Sequence, residues 1–247
     1  MNICRLMAAG KILAAMFIVL STGVAAEAQA LSVLPVNIFL APGQKAATLT
    51  VTNQGNSDTA IQIRGYAWSQ KDGDDQLMAS DVLVVSPPIA SIAPGATQVV
   101  RLILRLPPLS GEREFTYRIL VDQIPPPAEP GIVHVVLRLS IPIFALPTTR
   151  AASIVRYHIE LNGGQMVLVG INDGLRHDAI RDILLSTGDG RKLKTGPGGL
   201  PYILAGATRR WPIAVQGPLP LPGETLRLKA HSDSGAIDEQ VSVVAAP

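Results

Sequence analysis

From Gly131 to Pro147 the chain reads GIVHVVLRLSIPIFALP, with an apolar residue at every second position from Val133 to Ile143. Successive side chains of a strand point to opposite faces, so Val133, Val135, Leu137, Leu139, Ile141 and Ile143 share one face, and His134, Arg138 and Ser140 share the other. The spacing predicts one strand over Ile132–Leu146, well beyond the usual length of about five or six residues. A strand of that length with one strongly apolar face either holds a core together or offers its edge to another chain.

The rest of the chain is punctuated in the same idiom. Hydrophobic residues make up 47% but aromatics only 4%, and Val, Ile, Leu and Ala come in short bursts between Gly and Pro, the pattern of an all-β protein. Ahead of Pro147 the bursts predict seven strands: Leu31–Leu40, Ala46–Asn53, Thr59–Ser69, Gln76–Val85, Thr97–Leu106, Phe115–Ile124 and the long one. That is the number an immunoglobulin-like sandwich needs. Pro42-Gly43, Asp72-Gly73 and Pro94-Gly95 supply turn chemistry between them, and Asp72-Gly73 is expected to be a solvated hairpin tip. Beyond Leu146-Pro147-Thr148-Thr149 a second set is expected at Val155–Leu161, Met166–Asn172, Ala179–Ser186, Arg209–Ala214, Thr225–Ala230 and Val241–Ala245. The halves show no sequence repeat. The expected organisation is residues 1–30 as a leader, 31–147 as one sandwich and 148–247 as another.

The leader has Arg5 and Lys11 before an apolar run from Ile12 to Leu20, then small residues ending at Ala28-Gln29-Ala30. This is the layout of a secretory signal peptide, too short for a span of about twenty residues. The chain's one cysteine, Cys4, lies within it. Once the leader is removed, neither a disulfide nor a cysteine metal site can form, and stability rests on the apolar core. The formal charge of +2 drops to +1 with the loss of Arg5, Lys11 and Glu27, and no basic run suggests nucleic acid.

Catalytic constellations are missing from the pattern. His134, His158, His177 and His231 have no metal-ligand spacing and read as structural or surface residues. Gly196-Pro197-Gly198-Gly199 lacks the lysine and helix of a phosphate loop, and no G-x-S-x-G motif occurs. Asp72-Gly73-Asp74-Asp75 lacks the downstream glutamate of a calcium loop. The expectation is no enzyme activity, no cofactor and no metal. Trp68 and Trp211 stand apart, which counts against the main alternative, a secreted structural or carbohydrate-binding β-sandwich.

Pro35 to Asn53 (PVNIFLAPGQKAATLTVTN), Val85 to Leu102 (VSPPIASIAPGATQVVRL) and Tyr117 to Pro127 (YRILVDQIPPP), followed by the long strand, resemble the periplasmic pilus-assembly chaperones of the chaperone–usher pathway, and among them the archaic branch. The resemblance covers the first half well and the second loosely. It implies a boomerang of two immunoglobulin-like domains that lends a strand to an incomplete fimbrial or coat-fibre subunit and delivers it to an outer-membrane usher. Val133, Val135 and Leu137 would fill subunit pockets, with Leu139 as a fourth, and unloaded molecules could self-associate through the same edge. In better-known branches a basic pair holds the subunit's terminal carboxylate, whereas here Asn37 and Pro142 occupy those positions. Arg118 becomes the candidate carboxylate anchor, ahead of Arg138 and Arg101, the other reading of Arg118 being a surface arginine. Pro142, lacking an N–H, is expected to end the lending segment by about Ser140.

Overall fold

The computed structural model describes residues 31–105, 112–127, 135–196 and 200–246; the leader and Val133 lie outside them. All regular structure among the described residues is β. The first sandwich comprises β1 (Leu31–Leu34), β2 (Ile38–Leu40), β3 (Ala46–Asn53), β4 (Thr59–Lys71), β5 (Asp74–Ala79), β6 (Leu83–Ser86), β7 (Ile89–Ile92), β8 (Thr97–Leu104), β9 (Phe115–Ile124) and β10 (Arg138–Ala145). One sheet runs β1-β3-β8-β6 and the other β2-β10-β9-β4-β5, with β7 also against β4. The expected strand over Leu31–Leu40 is thus two strands. Its halves pair in different sheets, β1 with β3 and β2 with β10, because Pro35 has no N–H with which to continue a ladder.

Alternating residues of both sheets meet in a core that includes Leu49, Val51, Ile61, Ile63, Val100, Ile119, Val121, Ile141 and Ile143. The long strand is shorter than its alternation predicts: residues 135–137 precede β10, with Leu137 keeping one backbone hydrogen bond from Gln123, and Arg138–Ala145 form the ladder on β9. Ile141 and Ile143 have a core of their own to enter, and both lie in β10.

The second sandwich is built from β11 (Val155–Asn162), β12 (Gln165–Asn172), β13 (Asp178–Ala179), β14 (Arg181–Ser186), β15 (Lys192–Thr195), β16 (Tyr202–Ile203), β17 (Thr208–Ala214), β18 (Thr225–Ser232) and β19 (Gly235–Ala245). Its hydrogen bonding closes in the ring β11-β12-β17-β15-β14-β18-β19, completed by a parallel pairing of Ile159 with Val243, so the ring has no open edge. Ile159, Leu168, Leu185, Ile203, Trp211 and Leu228 fill it.

The two sandwiches share a device that was invisible as a repeat. Asn53, at the end of β3, is fully buried; its Nδ2 donates to the carbonyls of Ser57 and Ile92, and its Oδ1 accepts from Gly55 N–H. Asn172, at the end of β12, donates to the carbonyls of Arg176 and Ile203 and accepts from the N–H groups of Gly174 and Ile154. Each amide ties off a loop whose backbone groups could not otherwise be satisfied away from water. Gly174 is required there, since a Cβ would sit 2.4 Å from the Ala152 carbonyl oxygen.

A third cluster joins the sandwiches. Trp68 and Phe144 from the first pack with Ala179, Tyr202, Leu204 and Ala207 from the second. Phe144 stacks on His177 with ring centroids 3.6 Å apart, and Trp68 meets Tyr202 edge-on at 5.6 Å. His177 is buried, not on the surface: its N–H donates to Glu114 Oε2 at 2.9 Å and its Nδ1 lies 2.6 Å from the same oxygen. The Asp72-Gly73 tip, expected to be solvated, docks on the second sandwich, where Gly73 pairs with Arg209. Both turn residues have positive φ, 55° and 94°, as a two-residue hairpin turn of this kind requires.

Replacing Asn172 by alanine strands four backbone groups, each worth about 1–3 kcal/mol when buried unpaired. Asn172→Ala is expected to lower unfolding free energy by at least about 3 kcal/mol in urea titration, whereas Asn162→Ala, at the exposed end of β11, changes it by less than about 0.5 kcal/mol.

Candidate functional site

β10 lies against β9 along its whole length, but on its other side β2 reaches only Ile143–Ala145. Among the described residues nothing else lines that side, so Arg138–Pro142 form an open edge. The hydrogen bonds show which groups face outward. Gln123 N–H donates to the Leu137 carbonyl at 2.9 Å, making this a bonded pair; continuing the antiparallel alternation, Leu139, Ile141 and Ile143 bond inward to β9. The backbone groups of Arg138, Ser140 and Pro142 therefore point outward, two N–H donors and three carbonyls. Leu146 N–H, of the same parity, donates to the Leu40 carbonyl on the β2 side. Pro142 thus withholds its missing donor from the open edge and costs the β9 ladder nothing.

The side chains divide the segment again. Ile141 and Ile143 are buried in the first core and Leu139 is half-buried against it. Val135 and Leu137, just before the strand, are 81% and 36% exposed. Apolar side chains beside unpaired backbone form a liability in a protein that stays alone.

The opposite face of β10 looks into the cleft between the sandwiches. Arg138 and Arg64 converge there on Asp122, Arg138 through Nε and Arg64 through Nη2 at 2.6 Å. Burial by itself raises the Asp122 carboxyl, but hydrogen bonds from Arg138 and Arg64 outweigh it and hold the group below the usual carboxylate range.

Deeper in the cleft Arg118 is buried, its side chain 3% exposed. Its Cζ sits 3.7 Å from the Trp68 ring centroid, and its Nη1 donates to Ser140 Oγ at 2.9 Å. Nε and Nη2 have no hydrogen-bond partner among the described residues, and Asp75 Oδ2 is 4.0 Å from Nη2. Burial pushes this guanidinium below its usual value, opposed by the charge of Asp75. Asp75 Oδ1 in turn accepts from Trp68 Nε1 and Gln70 Nε2, both at 3.0 Å, and lies 3.5 Å from Nη1 of Arg209 in the second sandwich.

Residues 30–151 match the family model described as the pili and flagellar-assembly chaperone, PapD N-terminal domain. The chain belongs to the PapD-like pilus-assembly chaperones. No curated protein matches in sequence. Among solved structures, the CsuC–CsuE chaperone–tip adhesion subunit pre-assembly complex from the archaic chaperone-usher Csu pili of Acinetobacter baumannii shares 20% identity over 88% of this chain and 100% of the other, with TM-score 0.65. The YadV chaperone shares 15% over 86% and 98%, with TM-score 0.60. The SafA pilin–SafB chaperone complex of Salmonella enterica shares 16% over 89% and 98%, with TM-score 0.58. These likenesses are of fold, two immunoglobulin-like sandwiches.

In this PapD-like chain Val135 and Leu137 fall together beside the open edge, Leu139 is divided between edge and core, and Arg118 lies in the cleft, not on the surface. Asn37 accepts a hydrogen bond from Tyr202 of the second sandwich at 3.0 Å. Sequence reasoning gave no site role to Arg209 or Glu114, weighed Asp75 only as part of a calcium-loop fragment and read His177 only as structural or surface; each acquires its role from a contact across the sandwich joint.

The lowered carboxyl of Asp122 gives a testable sign. A depressed folded value contributes stability that is present above the unfolded value of about 4 and lost as pH falls through the folded one. The urea midpoint is expected to drop between about pH 5 and about pH 3, and Asp122→Asn to remove part of that drop while lowering stability at pH 7.

Proposed function

We propose that this protein is a periplasmic chaperone of the chaperone–usher pathway that holds one incomplete fimbrial or coat-fibre subunit by lending it the segment Val133–Leu139, then passes it to an outer-membrane usher. The observation that carries this reading is the open edge at Arg138–Pro142 flanked by exposed Val135 and Leu137. An incomplete sandwich lacks both a strand and the side chains that fill its groove. The edge supplies backbone donors and acceptors, and alternate side chains supply the filling. Each such side chain contributes about 1.5–3 kcal/mol on burial, so three give a stable complex without any nucleotide. Release follows by exchange for a better-fitting strand.

Arg118 is the cation available to a subunit terminus in this reading. β2 fills the lane beside β10 from Ile143 onward. A strand entering parallel to β10 therefore ends head-on at Asn37, level with Pro142, which pairs with Arg118 across β9. Its terminal carboxylate arrives beside a buried guanidinium with unpaired N–H groups. Fold likeness to the CsuC chaperone and the pattern around Pro94–Arg101 favour the archaic branch, and the leader over residues 1–30 favours export to the periplasm. Trp68 and Trp211 are both buried, which removes the aromatic platform a carbohydrate binder needs.

Leu137→Glu places a charge where a pocket-filling side chain belongs. It is expected to abolish recovery of the co-expressed exported subunit in periplasmic extracts while the chaperone keeps its thermal midpoint; equal subunit recovery overturns the strand assignment. Arg118→Ala is expected to reduce capture about tenfold, the scale of a charge-assisted hydrogen bond, measured by pull-down against the parent.

A further inference from the structure

The outer face of the second sandwich gathers positive charge that no stretch of the sequence displays, because three strands assemble it. Residues directly opposite in an antiparallel ladder share a face, so Lys194 of β15, Leu184 of β14 and Lys229 of β18 form one row, and Lys192, Ser186 and Arg227 form the next. Leu193, Leu185 and Leu228, which alternate with them, are buried in the ring, and this sends both rows outward. Lys192, Lys194, Arg227 and Lys229 are all exposed. Two strand spacings separate the cations of a row by about 10 Å, and two residues along a strand separate them by about 7 Å. Among the described residues only one carboxylate, Asp238, pairs with any of the four: it accepts from Arg227 Nε at 2.6 Å and Nη2 at 2.9 Å and lies 3.6 Å from Lys229 Nζ. Asp189, at the turn before β15, is taken by Arg191 at 2.8 Å. Lys192 and Lys194 therefore stand without an ion pair, on a chain whose formal charge is only +2 overall.

We infer that this face docks on an anionic phospholipid surface, with Lys192, Lys194, Arg227 and Lys229 lying over lipid phosphates. The four cations are separated by no more than about one Debye length at 0.1 M salt, so a charged surface meets them as a group. The residues set between them, half-buried Leu184 and Ser186, provide no aromatic anchor. Protein interfaces are depleted in lysine and draw their affinity from buried aromatic and arginine anchors, whereas a bilayer asks for neither a pocket nor a matched shape. Lysine suits it, being a compact hydrated charge on a flexible stem that can follow mobile headgroups. Asp238 opposes the docking electrostatically, which fixes the sign of its substitution. The inference rests on the periplasmic location proposed above, which sets a bilayer on either side of the protein. The lending edge belongs to the first sandwich and shares no residue with this face, so a molecule resting on a membrane keeps its edge for a guest.

The test is sedimentation of the exported chain with vesicles of phosphatidylcholine containing about one third phosphatidylglycerol, against vesicles of phosphatidylcholine alone. Binding is expected to the anionic vesicles only, and to fall at least about tenfold between about 0.05 M and about 0.5 M salt. Lys192→Gln and Lys194→Gln combined in one chain are expected to weaken binding about twentyfold while the thermal midpoint stays that of the parent. Asp238→Asn is expected to tighten it about threefold, and Lys45→Gln, at an exposed cation of the first sandwich, to leave it within about twofold. Equal binding to both vesicles, no loss in the double lysine variant, weaker binding by Asp238→Asn, or an equal loss in Lys45→Gln overturns the inference. Soluble polyglutamate separates an acidic protein from a bilayer: a parent that binds it through Lys192 and Lys194 but ignores anionic vesicles overturns the lipid assignment. Osmotic-shock fractionation tests the location by itself. A chain released with the periplasmic contents that ignores anionic vesicles keeps the location and loses the docking face, and one that binds them but stays in the cytoplasm does the reverse.

Discussion

One antiparallel register, Leu139 against Val121 and Ile143 against Tyr117, fixes what every side of β10 can do. It sends Ile141 and Ile143 into the first core, turns Phe144 and Ser140 toward the cleft and leaves the backbone of Arg138, Ser140 and Pro142 facing outward. A slip of one residue would put Phe144 in the core, Ile143 in the cleft and the proline where β9 needs a donor. The core residues beyond Ser140 make that slip expensive, so the exposed part of the segment is held in alignment by the buried part. An edge that must stay unpaired is kept straight by residues that never see it.

The joint between the sandwiches combines two kinds of adhesion. Phe144, Trp68 and Tyr202 provide apolar contact, and Phe144 lies flat on an imidazole that Glu114 orients. Around them run polar ties from Gln70 to the Tyr202 carbonyl and the Leu204 N–H, and from Tyr202 to Asn37. The apolar contact supplies adhesion, while the polar ties, each with directional geometry, select one angle from those that adhesion alone would permit. The buried arginines sit at the rim of this joint, where removing one partner leaves the other uncompensated.

Much of the fold could be read from alternation, and the failures have physical causes. β3 and β12 bury mainly alternate residues, β9 buries consecutive ones from Tyr117 to Val121, and all three were legible almost to the residue. β7 (Ile89–Ile92) was not, because Pro87 and Pro88 mask its start. β19 begins at Gly235, not Val241, because its first half carries polar residues on both faces and has no hydrophobic period to detect. β15 and β16 are too short to show one. The Asn53 and Asn172 loops carried a faint signal, Asn-x-Gly at the end of a strand in each half, too small to register as a repeat. In the candidate site, the exposed valine and leucine before β10 were written in the local pattern. The cleft was not: Asn37 meets Tyr202 across 165 positions, a distance no local pattern spans, and Trp68 looks solitary until Phe144 and Tyr202 come beside it.

The shared lane beside β10 has a metric consequence. β2 occupies it from Ile143 onward and stops at Ile38, so it is a fixed end-stop set into an otherwise open track. Any strand that pairs along Arg138–Pro142 in the direction of β10 is measured from its own terminus, because its last residue must halt at Asn37. Counting back from that stop assigns every side chain to a face, and one surplus residue would invert them all. If the edge lends itself to a guest as proposed, it is a gauge of length as well as an adhesive, able to reject a guest of suitable composition whose end falls out of step.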